Sequence, residues 1–183
     1  MVDLSQLWIA TLAAAVATFV VSCLIHMVFK WHAPEYKGVP DEEATRAAMR
    51  AIAPGEYVIP HCDYKDMGKP EVVQKFKDGP VVKLFVRPAG APAMGGTMGL
   101  WFALNVLVAA AAAYLASRTL PAGAGFLAVC RLVGSVVFLA YGVGSITQGI
   151  WMGRPWSGVI KDLLDAFLYG LATACVFAWL WPR

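Results

Sequence analysis

Charge is scarce in this chain. Asp, Glu, Lys and Arg make up 15% of its 183 residues, where soluble globular domains carry about 25%. Hydrophobic residues reach 59% and the mean hydropathy is +0.61. Those values exclude an ordinary soluble domain. A net charge of +3 is too small to argue for a nucleic-acid partner. Cysteine is sparse too: Cys23, Cys62, Cys130 and Cys175, three of them in apolar stretches where a thiol behaves as a small hydrophobe. With no C-x-x-C pair, a zinc ribbon or thioredoxin-like site is excluded. A Ser-His-Asp signature, a G-x-S-x-G elbow, a P-loop and an H-E-x-x-H motif are all missing, so no catalytic residue is assigned and no enzyme is expected. No internal repeat supports an inverted-repeat transporter.

What is present is long apolar runs. Four spans are expected, roughly Leu7–Phe29, Thr97–Ser117, Gly123–Trp151 and Gly158–Trp181, each long enough to cross a bilayer. The first is too long for a signal-peptide core and lacks a basic residue before Lys30, so it reads as a retained helix. Trp8, Trp31, Trp101, Trp151, Trp156, Trp179 and Trp181 fall near span ends, where interfacial aromatic belts lie. Short turns at 118–122 and 152–157 make the last three spans antiparallel neighbours, with Ser157 expected to cap the fourth. Lys30, Lys37, Lys83, Arg87, Arg154 and Lys161 lie on one side of the spans and Arg118 and Arg183 on the other. The positive-inside rule then puts the segment after the first span in the cytoplasm and both termini outside, in a multi-pass inner-membrane protein.

That segment is a soluble insert of residues 30–96, between a first helix (1–29) and a three-helix unit (97–183). It carries ten basic and nine acidic residues, a balance unlike a polybasic lipid-binding tail. Asp41 reads as the cap of a helix over Glu42–Ile52, Glu56–Pro60 as a strand, Pro70–Asp78 as a helix with Pro at its first position, and Val81–Val86 as a strand. The fold class is therefore an all-α membrane bundle of four transmembrane helices with a small α+β insert between the first and second. The insert's core is too thin to stand alone.

Ionisable groups inside spans are the first candidates for chemistry. His26 lies near the insert-side end of the first span, and Asp162 and Asp165 near the insert-side start of the fourth. Antiparallel geometry brings Ser145 and Gln148 of the third span towards them. The expected polar cluster is His26, Ser145, Gln148, Asp162 and Asp165, with Lys161 an i, i+4 partner for Asp165. Its bland reading is a dipole-complementing, hydrogen-bonded helix start; its functional reading is a proton relay. Arg131, near the opposite face, is expected to snorkel to a lipid phosphate or an anion. Asn105 is expected to hydrogen-bond across helices. His61 and Cys62 are adjacent, with Met67 downstream, and His26 and His32 lie near the membrane on the same side, but no spacing matches a zinc or haem pattern, so no metal and no cofactor is assigned.

Three segments carry a resemblance: Phe29-Lys30-Trp31-His32; Gly149-Ile150-Trp151 running into Gly153-Arg154-Pro155-Trp156; and the closing helix from Lys161 to Trp181 with Tyr169 and Gly170 inside. In these the chain resembles a family of small four-span bacterial membrane proteins of unknown function, whose polar region after the first span is shorter. The resemblance implies architecture and brings no activity with it. The expected role is a non-enzymatic accessory or scaffold protein whose partners are the lipid bilayer and other membrane subunits. The alternatives are a small proton-coupled transporter using the His/Asp cluster, and a metal- or redox-binding membrane protein.

Overall fold

A computed structural model describes residues 2–183 of the chain, which are mostly helical. Residues 2–36 and 93–183 form one compact unit and residues 37–92 a second. The second unit is shorter than the expected insert of residues 30–96 at both ends. Residues 30–36 lie with the helical unit, because Trp31, His32 and Glu35 bond to its last helix.

In the helical unit, a single 3₁₀ turn (Leu4–Leu7) capped by Asp3 leads into α1 (Trp8–Cys23). A π-helical segment (Leu24–Phe29) ends that span. Beyond the insert come α4 (Met94–Thr119), α5 (Phe126–Met152) and α6 (Trp156–Trp179). The stretches Leu4–Phe29, Met94–Thr119 and Phe126–Met152 are long and apolar enough to cross a membrane. The α6 helix is of similar length but carries Lys161, Asp162 and Asp165 in its first half.

The side-chain distribution is that of a bundle in an apolar solvent. Large residues such as Leu12, Val16, Leu107, Leu139, Phe167 and Leu171 point outward. Small ones, among them Ala10, Ala14, Ala109, Ala112, Ala113, Ala116 and Ala174, are buried between helices. Lipid tails are as apolar as leucine, so association rests on close backbone approach and interhelical hydrogen bonds rather than on burying large residues. Both are present. A Cβ on Gly170 would lie 3.0 Å from the carbonyl oxygen of Gly134, and one on Gly142 3.1 Å from Cβ of Ala166. Thr18 and Thr173 hydroxyls meet at 2.8 Å, joining α1 to α6. The indole of Trp101 donates to Ser22 Oγ at 2.8 Å, joining α4 to α1. Tyr141 donates to Asn105 Oδ1 at 2.6 Å, joining α5 to α4. The chain thus closes a ring of contacts in the order α1, α4, α5, α6.

Tryptophans divide into two groups. Trp8, Trp151, Trp156 and Trp179 are exposed on the outside of the bundle, as an aromatic belt requires. Trp31, Trp101 and Trp181 instead donate inward, Trp181 to the carbonyl of Pro121 at 3.0 Å. The expected cap at Ser157 is not made. The α6 helix starts two residues earlier than expected, at Trp156 rather than Gly158, with Pro155 in the cap position. Proline's fixed φ presets the helix entry without a side-chain acceptor.

The insert unit holds α2 (Glu42–Met49), β1 (Gly55–Ile59), α3 (Pro70–Asp78) and β2 (Val82–Val86). The Asp41 carboxylate accepts from the backbone N–H of Ala44 at 2.9 Å, as expected of a cap. The α2 helix stops at Met49, short of Ile52: the N–H groups of Arg50 and Ile52 bond three residues back, to Ala47 and Met49, in a tightened last turn. The strands pair antiparallel with Tyr57 opposite Leu84. Val72 is the one buried side chain among the described residues of this unit, so the core is as thin as its composition implies.

Candidate functional site

The site is built at the insert-side end of α1. The π-helical turn Leu24–Phe29 widens the helix where His26 sits, and Lys30 closes it in the left-handed conformation at φ 53°. π-Segments are rare and frequently mark functional positions. The reversal sends Trp31 and His32 back over the helix end, and a 3₁₀ turn, Ala33–Glu35, presents Glu35. As a result His26 and His32 stack, with ring centroids 4.9 Å apart.

Asp165 of α6 faces this reversal and is 5% exposed. Its Oδ2 lies 2.9 Å from His32 Nε2 and 3.4 Å from His26 Nε2, while Oδ1 accepts from the Trp31 indole at 3.1 Å. The other ring nitrogen of His32, Nδ1, lies 3.1 Å from Glu35 Oε1. His32 is therefore buried between two carboxylates. Lys161 donates to the Trp31 carbonyl at 2.6 Å and sits 3.1 Å from Glu35 Oε1. Arg154 grips Asp162 through both guanidinium nitrogens, Nη2 to Oδ1 at 3.0 Å, and reaches Glu35 Oε2 at 3.6 Å. Burial pushes the Glu35 carboxyl up, but Lys161 and His32 outweigh it and hold the group below the ordinary carboxylate value. Tyr169, one turn beyond Asp165, puts its hydroxyl 3.4 Å from His26 Nε2.

The structure brings together only part of the expected cluster. His26 and Asp165 meet. Asp162 belongs to the neighbouring Arg154 pair rather than to the histidines. Ser145 turns back to the carbonyl of Gly142 on its own helix at 2.6 Å, which satisfies its hydroxyl without crossing to α6. Gln148 is exposed and contributes its backbone carbonyl, which accepts from Gly153 and Arg154 where α5 ends. Lys161 pairs with Glu35, not with Asp165: the turn after the first span offers it a carboxylate and a carbonyl at once. Arg131 is exposed beside a groove of about 340 Å³ between α5 and α6, far along both helices from the site. Asn105 accepts from Tyr141, an interhelical bond of the expected kind.

Sequence reasoning missed Trp31 and Glu35, and placed His32 beside His26 near the membrane without joining it to Asp165. All three were assigned to the soluble insert, whose residues carry no periodicity that marks them as facing a span. The available signal was that His32 follows His26 by six residues across an apolar-to-polar boundary.

No family model, curated protein or solved structure matches the chain.

Proposed function

We propose that the chain is a non-enzymatic integral membrane protein with four spans, α6 being the fourth, that serves as an accessory or scaffold for other membrane proteins. The observation that carries this reading is the state of its charges. Glu35, Arg154, Lys161, Asp162 and Asp165 all have charged or hydrogen-bonding partners within the bundle, while its outer surface is covered by large apolar side chains. The grooves on this unit that are lined by Gly134, Phe138 and Leu171, and by Phe126, Val176 and Trp179, are apolar and do not include Asp165. A packed bundle of this kind presents surface to neighbouring spans.

Native mass measurement of the protein released from its own membranes in mild detergent tests the reading. A discrete assembly with one or more other membrane proteins in fixed ratio is expected. A protein found alone at every detergent concentration overturns it.

One observation favours a second reading. The His26–Asp165–His32 chain links a half-exposed ring to a buried one through a single carboxylate oxygen, which is the arrangement of a proton relay. Reconstituted vesicles decide the matter. A pH-driven solute or proton flux abolished by Asp165→Asn, with the fold retained, supports a carrier.

A further inference from the structure

We infer that His26, His32 and Asp165 form a binding site for one divalent first-row transition-metal ion of the zinc or ferrous class. Nε2 of each histidine and one Asp165 carboxylate oxygen all lie within 4.8 Å of one another. Metal–ligand bonds of about 2.0–2.1 Å at tetrahedral angles put neighbouring donor atoms about 3.3 Å apart. Two of the three separations, from Asp165 Oδ2 to the two Nε2 atoms, are 2.9 and 3.4 Å, close to that value, and rotation of the half-exposed His26 ring brings the histidine nitrogens in from within 4.8 Å of each other.

The surroundings of the three donors are those a metal site requires. A ligating histidine usually holds its second ring nitrogen against a carboxylate, which fixes the tautomer and raises the basicity of the ligating nitrogen. Glu35 does this for His32 at 3.1 Å, and Lys161 in turn anchors Glu35. A ligating carboxylate needs its non-ligating oxygen held, and the Trp31 indole holds Oδ1 of Asp165. Charge also fits. Glu35, Asp162 and Asp165 stand against Arg154 and Lys161, three carboxylates to two cations, so the network lacks positive charge when both rings are neutral. Two imidazoles and one carboxylate suit zinc or ferrous iron and not magnesium or calcium, which take oxygen donors. The half-exposed His26 ring gives the ion a path in and leaves a fourth position for water or an outside ligand. The ion would staple the end of the first span to the fourth.

The test uses the full-length protein in mild detergent after treatment with a chelator. Zinc(II) is titrated by calorimetry and cobalt(II) by visible absorption. One equivalent per chain is expected, with a rise in melting temperature. His26→Gln, whose ring is half exposed and whose loss leaves Asp165 bonded to His32 and Trp31, should weaken binding at least tenfold while keeping the circular dichroism spectrum. Asp165→Asn should do the same, and its result is read beside that of His26→Gln because it also disturbs buried partners. Glu35→Gln should weaken binding about 10–100-fold, the usual effect of losing an outer-shell partner. A double change, His61→Ala with Cys62→Ser, should leave the site untouched. The inference is overturned if the wild type shows no saturable binding and no thermal shift, which makes the site a proton-held ion-pair junction. It is equally overturned if binding survives His26→Gln and disappears with His61 and Cys62.

Discussion

The contact between His32 and Asp165 supports a quantitative prediction. Both side chains are buried, with side-chain exposures of 11% and 7%, and Nε2 and Oδ2 lie 2.9 Å apart. Solvent screening is therefore weak. Replacing either residue by Ala takes away the other's shortest contact, leaving His32 only Glu35 and Asp165 only His26 and the Trp31 indole, and breaking a buried pair of this kind costs about 3–5 kcal/mol. Asp165→Ala also strips the Trp31 indole of its acceptor, and His32→Ala removes one of the contacts of Glu35. A hydrogen bond to a charged group is itself worth about 1.5–3 kcal/mol, and that is the coupling expected in a double-mutant cycle. At this chain length 1 kcal/mol corresponds to about 2–4 °C in melting temperature. Each single change should then lower the midpoint by about 6–20 °C. The double change should fall short of the sum by about 3–12 °C. Melts followed by circular dichroism in mild detergent with chelator present give the numbers without any metal contribution. The exposed pair Glu43–Arg46, 3.1 Å apart with side chains 83% and 67% exposed, serves as the control and should couple weakly. Effects at His32 and Asp165 that add to within about 0.5 kcal/mol would refute the claim that the two act as one buried pair.

Other consequences are as specific. Gly170→Ala should be less stable than Gly134→Ala by about 1–3 kcal/mol, the cost of overpacking. The reason is that the first Cβ meets backbone at 3.0 Å and the second meets Cβ of Ala174 at an ordinary 3.5 Å; comparable melting temperatures would contradict this. Glu35 has a folded pKa below its ordinary 4.5, so its stabilising contribution is complete above that pH and disappears as pH falls through the folded value. The stability gap between wild type and Glu35→Gln should accordingly be constant near neutrality and close under acid, and a gap that widens below pH 4.5 has the wrong sign. For topology, Cys62 is expected to resist a membrane-impermeant maleimide in intact cells and to react after lysis; labelling in intact cells reverses the orientation proposed from the basic residues.

The fold was legible wherever one physical signal dominated. Runs of apolar residues marked the three spanning helices. In the insert, Asp41 before two glutamates marked the start of α2, and Pro70 marked the start of α3. The site was half legible. His26 and Asp165 stood out because ionisable groups in apolar helices are expensive. Their partners did not, because Trp31, His32 and Glu35 lie in a stretch of mixed polarity that reads as the beginning of a loop. Only the π-helical turn and the left-handed Lys30 fold that stretch back on the bundle, and neither has a sequence signature of its own. Ser145 misled for the opposite reason. A serine in a helix satisfies its hydroxyl on the preceding turn, so nearness to Asp165 in a helical projection did not amount to a contact.

The same turn explains how α6 holds three charges among apolar neighbours. A charged side chain among apolar neighbours is expensive unless it is paired and hydrogen-bonded. Lys161, Asp162 and Asp165 would together strain a solitary helix of this hydropathy. Here each is met by a residue from outside the helix: Lys161 by Glu35 and the Trp31 carbonyl, Asp162 by Arg154, and Asp165 by His32 and the Trp31 indole. All the donors and acceptors come from two short stretches, 31–35 and the residue two before α6. The charges of α6 and the reversal after α1 therefore form one unit. Residues 30–36 belong with the bundle because the fourth helix needs them there, and His26 is half exposed beside them because the π-helical turn that makes the reversal carries it.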